Sequence, residues 1–292
     1  MDFSKRVKDG LFVYLLKGLD KIPATRWFDK LFSLTLFVVA HRRWPTRKLI
    51  FNDVVYRIKT TDEILDPLRI FVSDKEYLKL YVSAVIGDRY NVPTIDIVRN
   101  VEEIPSYEFP AACCIKPTHA CNRVIIRKNN EPVDRARIQR WFATNYYRTG
   151  REANYKLLKP KVIVEPIIFN DPNAPDYKFF CYRGAPKLVQ VDADRYIKHK
   201  RKLFDSRWNE MDFSIFYPKS EEPIAKPDNF SEMLDIAARL SAPFSFVRID
   251  LYSDGKTCLV GEITNCPGNA QQAFVPPSGE ITASQIIFGR AD

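Results

Sequence analysis

Glycine is scarce in this chain, 10 residues in 292, beside 20 prolines, 20 phenylalanines and 14 tyrosines. That composition excludes low-complexity, fibrous and disordered classes. Histidine is rarer still. His41, His119 and His199 stand beside six cysteines in no spacing that a zinc site would need. Cys113, Cys114, Cys121, Cys181, Cys258 and Cys266 fall mostly in apolar, strand-like runs and read as buried reduced thiols. Long apolar runs are also missing: the longest, Leu31 to Ala40, is far short of the roughly 20 residues that span a bilayer. The start, Met1 to Lys5, lacks the pattern of a cleavable signal, so a cytoplasmic chain is expected.

What is present is an ordinary globular balance, 46% hydrophobic and 28% charged, with a formal charge of +9 that attracts polyanions. The basic residues are scattered and no RNA-binding aromatic signature accompanies them, so nucleic acid is not the expected partner. Near the start, Phe12, Leu15, Leu16, Phe28, Phe32 and Phe37 interleave with Lys17, Lys21, Arg26 and Lys30. The pattern suits a core-packing helix, or an interfacial one giving peripheral membrane contact at the inner face.

The chain divides into a helical segment at 1–45, with two helices broken near Pro23; a small α/β subdomain at 46–110; a lid-like subdomain at 111–168; and a C-terminal subdomain at 169–292. Ser73 and Glu76 suggest a capping box ahead of a helix carrying Tyr77, Leu80 and Tyr81 on one face. Ala111–Lys116 and Val124–Arg127 read as a hairpin with Lys116 at its mouth, and Asp134 to about Tyr147 as a helix. Strands are expected at 161–168, 177–182 and 187–192, the last two joined through Arg183 and Gly184. The basic, aromatic stretch from Tyr196 to Trp208 fits a flap over an anionic ligand or a solvated loop. A helix at 231–240 and a hairpin, 244–251 with 257–263, complete the chain.

In that last hairpin Asp250 and Glu262 interrupt apolar strands. Half-buried carboxylates need a compensating cation or arginine, and magnesium commonly takes one or two carboxylates together with phosphate oxygens. A two-residue Asp254-Gly255 turn would set Asp250 and Glu262 on opposite faces. A three-residue loop or a single bulge would set them on one face, so a shared metal demands the odd register. The alternative pairs each carboxylate separately with an arginine such as Arg248.

Several segments together resemble the ATP-grasp superfamily, and within it the polysaccharide-associated TupA-like branch named for teichuronopeptide biosynthesis. They are Phe71–Lys75, Ile115–Pro117, Val164–Pro166, Asp176–Phe179, Val247–Asp250 and Gly261–Thr264, in a likeness running from about Trp44 to Gly289. The resemblance implies an α/β (α+β) ATP-grasp fold, with antiparallel sheets of two subdomains enclosing ATP and an N-terminal helical segment. By the same resemblance Lys75 and Lys116 reach the phosphates. Glu165 and the backbone near Ile167 and Ile168 hold adenine, Asp176 faces ribose, and Lys178 faces the phosphates. Arg248 sits at the transferred phosphoryl group, while Asp250, Glu262 and either Thr264 or Asn265 hold Mg2+.

The loop Thr118-His-Ala-Cys-Asn122 departs from the glycine-rich family pattern. His119 and His199 are expected to make loop hydrogen bonds, and Arg195 to Lys202 offers charge for an acidic co-substrate.

The expected activity is an ADP-forming carboxylate-amine ligase working through an acyl phosphate. The branch suggests a uronic acid of a surface polysaccharide, or its precursor, as the acid and an amino acid or amino alcohol as the amine. The competing readings are an altered phosphotransferase, a non-catalytic nucleotide- or polysaccharide-binding protein, and a glycosyltransferase.

Overall fold

The computed structural model describes residues 23–171, 174–193, 200–217 and 219–289. The helix expected before Pro23, with Phe12, Leu15 and Leu16, lies outside these residues, as does His199. The first described helix, α1 (Arg26–His41), turns its apolar side inward through Phe32, Leu36 and Phe37. Its Asp29 is buried and accepts from the Tyr147 hydroxyl at 2.7 Å, fastening α1 to the middle of the chain. Helix α2 (Phe51–Thr60) is tied to the C-terminal region, because Asn52 bonds in both directions to the Gln272 backbone.

The short α3 (Pro67–Phe71) starts with Asp66 as its cap, and α4 (Lys75–Val85) starts with Asp74. Asp74 Oδ1 takes the amides of Glu76 and Tyr77. The cap therefore lies one residue beyond the expected Ser73, whose hydroxyl donates to the Arg69 carbonyl instead. Both residue types cap well, and sequence cannot rank neighbours. The buried face of α4 is Leu78 and Val82, not Tyr77 and Leu80, which are exposed.

Four strands form one antiparallel sheet in the order β1-β4-β2-β3: β1 (Asp96–Val98), β2 (Cys113–Pro117), β3 (Ile125–Arg127) and β4 (Val162–Glu165). Strand β1 comes from before residue 111, so this sheet draws on both sides of the boundary expected there. Behind it lies α5 (Arg135–Phe142), which ends five residues earlier than the expected Tyr147, at Phe142. Tyr147–Gly150 is a separate turn of helix, α6.

The second sheet has five antiparallel strands in the order β10-β9-β5-β6-β7. They are β5 (Asp176–Tyr182), β6 (Ala185–Ala193), β7 (Lys200–Asp205), β9 (Phe246–Ser253) and β10 (Cys258–Thr264). Strand β7 replaces part of the expected flap: Arg201 is buried because its side chain pairs with Asp192 on β6, at 2.6 Å. Arg183 and Gly184 both take positive φ, 49° and 76°, the left-handed pair that a two-residue hairpin requires.

Alternation assigns the two faces of this sheet. Tyr177, Phe179, Val189, Ile249 and Leu251 pack against α7 (Phe230–Ser241) and α4, each stabilising the fold by roughly 1.5–3 kcal/mol. On the opposite face, Phe180, Leu188, Leu203 and Phe246 pack with α2 and with α8 (Gly279–Phe288). The rest of that opposite face is ionic. A small pair, β8 (Ser214–Ile215) with β11 (Phe274–Val275), closes the C-terminal side.

Candidate active site

A cleft of about 410 Å³ lies between the two sheets. Lys75, Lys116, Glu165, Ile167, Ile168, Asp176, Lys178, Arg248, Asp250 and Glu262 all line it, residues scattered over nearly two hundred positions of sequence.

The five-stranded sheet forms one wall. Asp250 stands opposite Lys178 on one neighbouring strand and opposite Glu262 on the other. The hairpin loop is longer than expected, since Ser253 pairs with Cys258 and leaves 254–257 between. An even loop alone would separate the carboxylates, but a bulge falls between Val260 and Glu262 and restores them to one face. Gly261 makes the bulge possible. A β-carbon there would lie 2.7 Å from the Tyr252 ring and 3.3 Å from the Asp250 carbonyl oxygen.

Arg248 grips Asp250 with two hydrogen bonds, Nε to Oδ1 and Nη2 to Oδ2, both 2.7 Å. Thus the arginine pairing and the shared face coexist. Lys178 bonds Asp176 and approaches Asp192 at 3.4 Å and Asp250 at 3.8 Å. Burial pulls the Lys178 ammonium down from its usual range; Asp250 and Asp192 oppose that and Arg248 adds to it. Burial alone would push Glu262 up, but Lys75, Arg248 and Lys178, with a thiol hydrogen bond, hold it below the usual carboxylate value.

The four-stranded sheet forms the other wall. Glu165, at the end of β4, is bridged by Lys79 at 2.6 Å and Lys116 at 2.9 Å. Burial opposes ionisation of both Glu165 and Lys116, yet their attraction wins: Glu165 sits below, and Lys116 well above, its ordinary value. Lys75 donates to the Ala120 carbonyl at 2.7 Å, pinning the loop after Lys116. In that loop Asn122 adopts φ 56°, a conformation for which glycine would be the default residue. His119 is buried and turned away, its Nε2 beside the Trp141 carbonyl at 3.1 Å.

Two residues assigned to metal by resemblance lie off the cleft lining. Thr264 Oγ1 accepts from Arg248 Nη2 at 3.1 Å, so it touches the site through the arginine. Asn265, just past the end of β10, is buried, accepting from Arg69 at 3.0 Å and donating to the Arg69 carbonyl and Ser73 Oγ, each at 3.1 Å. Its amide is used up structurally. Among the described residues no group of three or more His, Cys, Asp or Glu is arranged to hold a metal ion. Asp250 and Glu262, an opposed pair beside Lys75, Lys178 and Arg248, still fit Mg2+, an ion that commonly takes one or two carboxylates together with phosphate oxygens.

Three participants escaped the sequence reading. Lys79 was signalled by its place four residues after Lys75, on the same helical face. Cys121, whose Sγ donates to Glu262 at 3.2 Å, and Tyr252 on the lining carried no signal.

The model of the TupA-like ATP-grasp family matches residues 55–282. The chain belongs to the TupA-like ATP-grasp family. Comparison with curated proteins finds no match. Among solved structures, D-alanine-D-alanine ligase from Helicobacter pylori is 15% identical with a TM-score of 0.41, over 69% of this chain and 56% of that one. D-cycloserine synthetase DcsG is 15% identical with a TM-score of 0.42, over 75% and 70%. The ATP-grasp ligase PsnB, complexed with a phosphomimetic variant of its minimal precursor, Mg and ADP, is 10% identical with a TM-score of 0.41, over 77% and 61%. This TupA-like chain thus spans little more than half the length of the Helicobacter ligase. Likeness at this level does not extend to substrates. Membership itself places the chain within the ATP-grasp superfamily.

Proposed function

We propose that the chain is an ADP-forming carboxylate-amine ligase, acting on a uronic acid of a surface polysaccharide or its precursor and on an amino acid or amino alcohol. The observation that carries this reading is the single ionic face on which Arg248, Asp250, Glu262 and Lys178 meet, across a cleft from Lys116. The four-segment division of the chain is part of the same reading.

In this account Lys116 and Lys75 take phosphate oxygens, and Lys79 remains as partner to Glu165, whose freed oxygen accepts from the adenine amino group. Ile167 and Ile168 flank the base, and Asp176 faces ribose. Asp250 and Glu262 would hold Mg2+, which neutralises phosphate charge when bound. Arg248 stabilises charge on the phosphoryl group as the substrate carboxylate attacks phosphorus and ADP leaves. The amine then attacks the acyl carbon, and phosphate departs with the bonding electrons.

Hydroxylamine in place of the amine tests the reading. With ATP, Mg2+ and a panel of uronic acids, wild type should yield a hydroxamate and Asp250→Asn should not. A stable phosphorylated sugar would favour the phosphotransferase, and nucleotide binding without turnover a binding protein.

Among the described residues no helix is long and apolar enough to cross a membrane. A peripheral site at the inner face is supported by α1 and its exit. Trp27 (66% exposed), Trp44 (69%), Leu31 and Val39 lie among Lys30, Arg42, Arg47 and Lys48, while Asp29, the acidic residue of residues 23–50, is buried. Such a surface suits anionic lipid. Flotation with phosphatidylglycerol vesicles, but not phosphatidylcholine ones, is the expected result; equal flotation or none removes the proposal.

A further inference from the structure

The side of Glu262 away from the adenine end carries a second polar cluster that the nucleotide reading leaves unused. It starts at Cys121, which bonds Glu262 at 3.2 Å and meets the Tyr155 hydroxyl at 3.1 Å. The Tyr155 ring meets the Tyr146 ring edge-on, centroids 4.9 Å apart. Two turns converge beyond them. The turn after α6 brings Glu152, and the turn after β10 brings Asn269; a β-carbon built on Gly150 would lie 3.2 Å from Glu152 Oε1 and 3.6 Å from Asn269 Nδ2.

The turn after β10 is held in an expensive shape. Gly268, Asn269 and Ala270 take φ of 61°, 55° and 59° in succession, a conformation that non-glycine residues keep only where their surroundings impose it. Glycine suits position 268, where φ is positive and a β-carbon would fall 1.9 Å from the end of the Gln272 side chain, Oε1. That oxygen and Asn269 Oδ1 are both buried without a hydrogen-bond partner among the described residues.

Lys59, from α2, completes the cluster. It is 2% exposed, and its Nζ likewise has no hydrogen-bond partner among the described residues. Glu152 acts on it more strongly than any other charge, yet the two close no ion pair; Asp29 is already engaged by Tyr147 and Arg151. A lysine serving only the core would close on such a neighbour, since a buried ammonium without a partner is strongly unfavourable. Packing over the Phe32 ring at 5.8 Å offsets only a small part of that. An ammonium and a carboxylate held apart, with two amide oxygens unmatched, form the complement of a zwitterion.

We propose that this cluster is the amine-side subsite of the enzyme and that it takes a free α-amino acid, Lys59 binding the α-carboxylate while Glu152 and the amide oxygens of Asn269 and Gln272 receive the ammonium. The assignment rests on the ligase reading and deepens it, choosing between two amine classes: an amino alcohol offers no anion to Lys59.

The test is calorimetry on the full chain with Mg2+ and the non-hydrolysable analogue AMP-PNP. Each of the twenty common L-amino acids is titrated, then the amino alcohol matching any that bind. At least one amino acid should bind, more than tenfold tighter than its alcohol. Lys59→Met, its fold checked by circular dichroism and melting, should lose that preference, and Lys59→Arg should retain it. No binding by any amino acid, equal binding of acid and alcohol, or an unchanged preference in Lys59→Met overturns the subsite. AMP-PNP binding, measured first in the same cell, separates the two levels. Nucleotide binding without the preference removes the subsite alone, whereas no nucleotide binding removes the ligase reading and the subsite with it.

Discussion

The two walls of the cleft compensate buried charge in different ways. On the four-stranded side two lysines, Lys79 and Lys116, share one carboxylate, Glu165, leaving positive charge to spare. On the five-stranded side Arg248 and Lys178 are interleaved with three carboxylates, Asp176, Asp250 and Glu262, and an arginine fork already occupies Asp250. In the proposed reading the first arrangement would receive phosphate oxygens without leaving a bare anion behind. The second would offer carboxylate oxygens to a divalent cation and an arginine to the transferred group. A nucleotide chelating a cation would then satisfy both walls at once.

The sharpest way to break this contrast is to neutralise the acidic wall. Asp250→Asn or Glu262→Gln should weaken Mg2+-dependent binding of a fluorescent ATP analogue by about 100-fold or more, as loss of an ionic contact in a water-excluded site does. Nucleotide affinity measured in EDTA should change far less. Asp250→Asn also leaves buried Arg248 short of its partner, so its melting temperature is measured in parallel.

Next in size is the bulge that joins the carboxylates. Gly261→Ala forces a methyl group against Tyr252, a cost of about 1–3 kcal/mol, and should lower both the melting temperature and the Mg2+ dependence. If binding still depends fully on Mg2+, the shared face is not what holds the cation.

Asn265→Ala separates structural from metal roles. Removing its amide strips a hydrogen bond from buried Arg69, costing about 1–3 kcal/mol of stability, while leaving the Mg2+ dependence untouched. Loss of that dependence in a folded variant would return Asn265 to the metal shell.

On the basic wall, Lys116→Met should weaken nucleotide binding by roughly tenfold, about 1.4 kcal/mol. The effect is smaller because Lys79 still neutralises Glu165.

The smallest effect concerns pH. Glu165 is held below its usual 4.5, so its contribution to stability is present above that value and lost as pH falls through the lower folded one. Lys116 is held above 10.5, so its contribution is present below that value and lost as pH rises through the higher folded one. Urea melts should therefore show a constant gap between wild type and Lys116→Met from pH 6 to 9, narrowing only at the extremes. A gap that changes near neutrality would contradict the pairing.

The strands were legible because alternation survives in them: Tyr177, Phe179 and Cys181 face one core while Asp176 and Lys178 face the cleft. Register was legible only as a condition, since whether Asp250 meets Glu262 hangs on one bulge at a glycine whose neighbour, Tyr252, is set by packing. Asn265 was misleading for the same reason. Its place in the sequence, one residue past Thr264, says nothing of where its side chain turns, and Arg69, almost two hundred residues away, claims the amide. Strand β7 hid behind Lys200-Arg-Lys because charge reads as surface until its partner, Asp192, is known. Lys79 and Cys121 join the site through helix phase and tertiary contact, neither of which a local motif records.

The most direct trial of the account is a crystal of the chain grown with AMP-PNP and Mn2+ standing in for Mg2+, with the manganese located by its anomalous scattering. The account predicts manganese bound by Asp250 and Glu262 and by phosphate oxygens, with Lys116 turned from Glu165 toward the phosphates. Manganese away from those two carboxylates, or nucleotide outside the cleft between the two sheets, would contradict it.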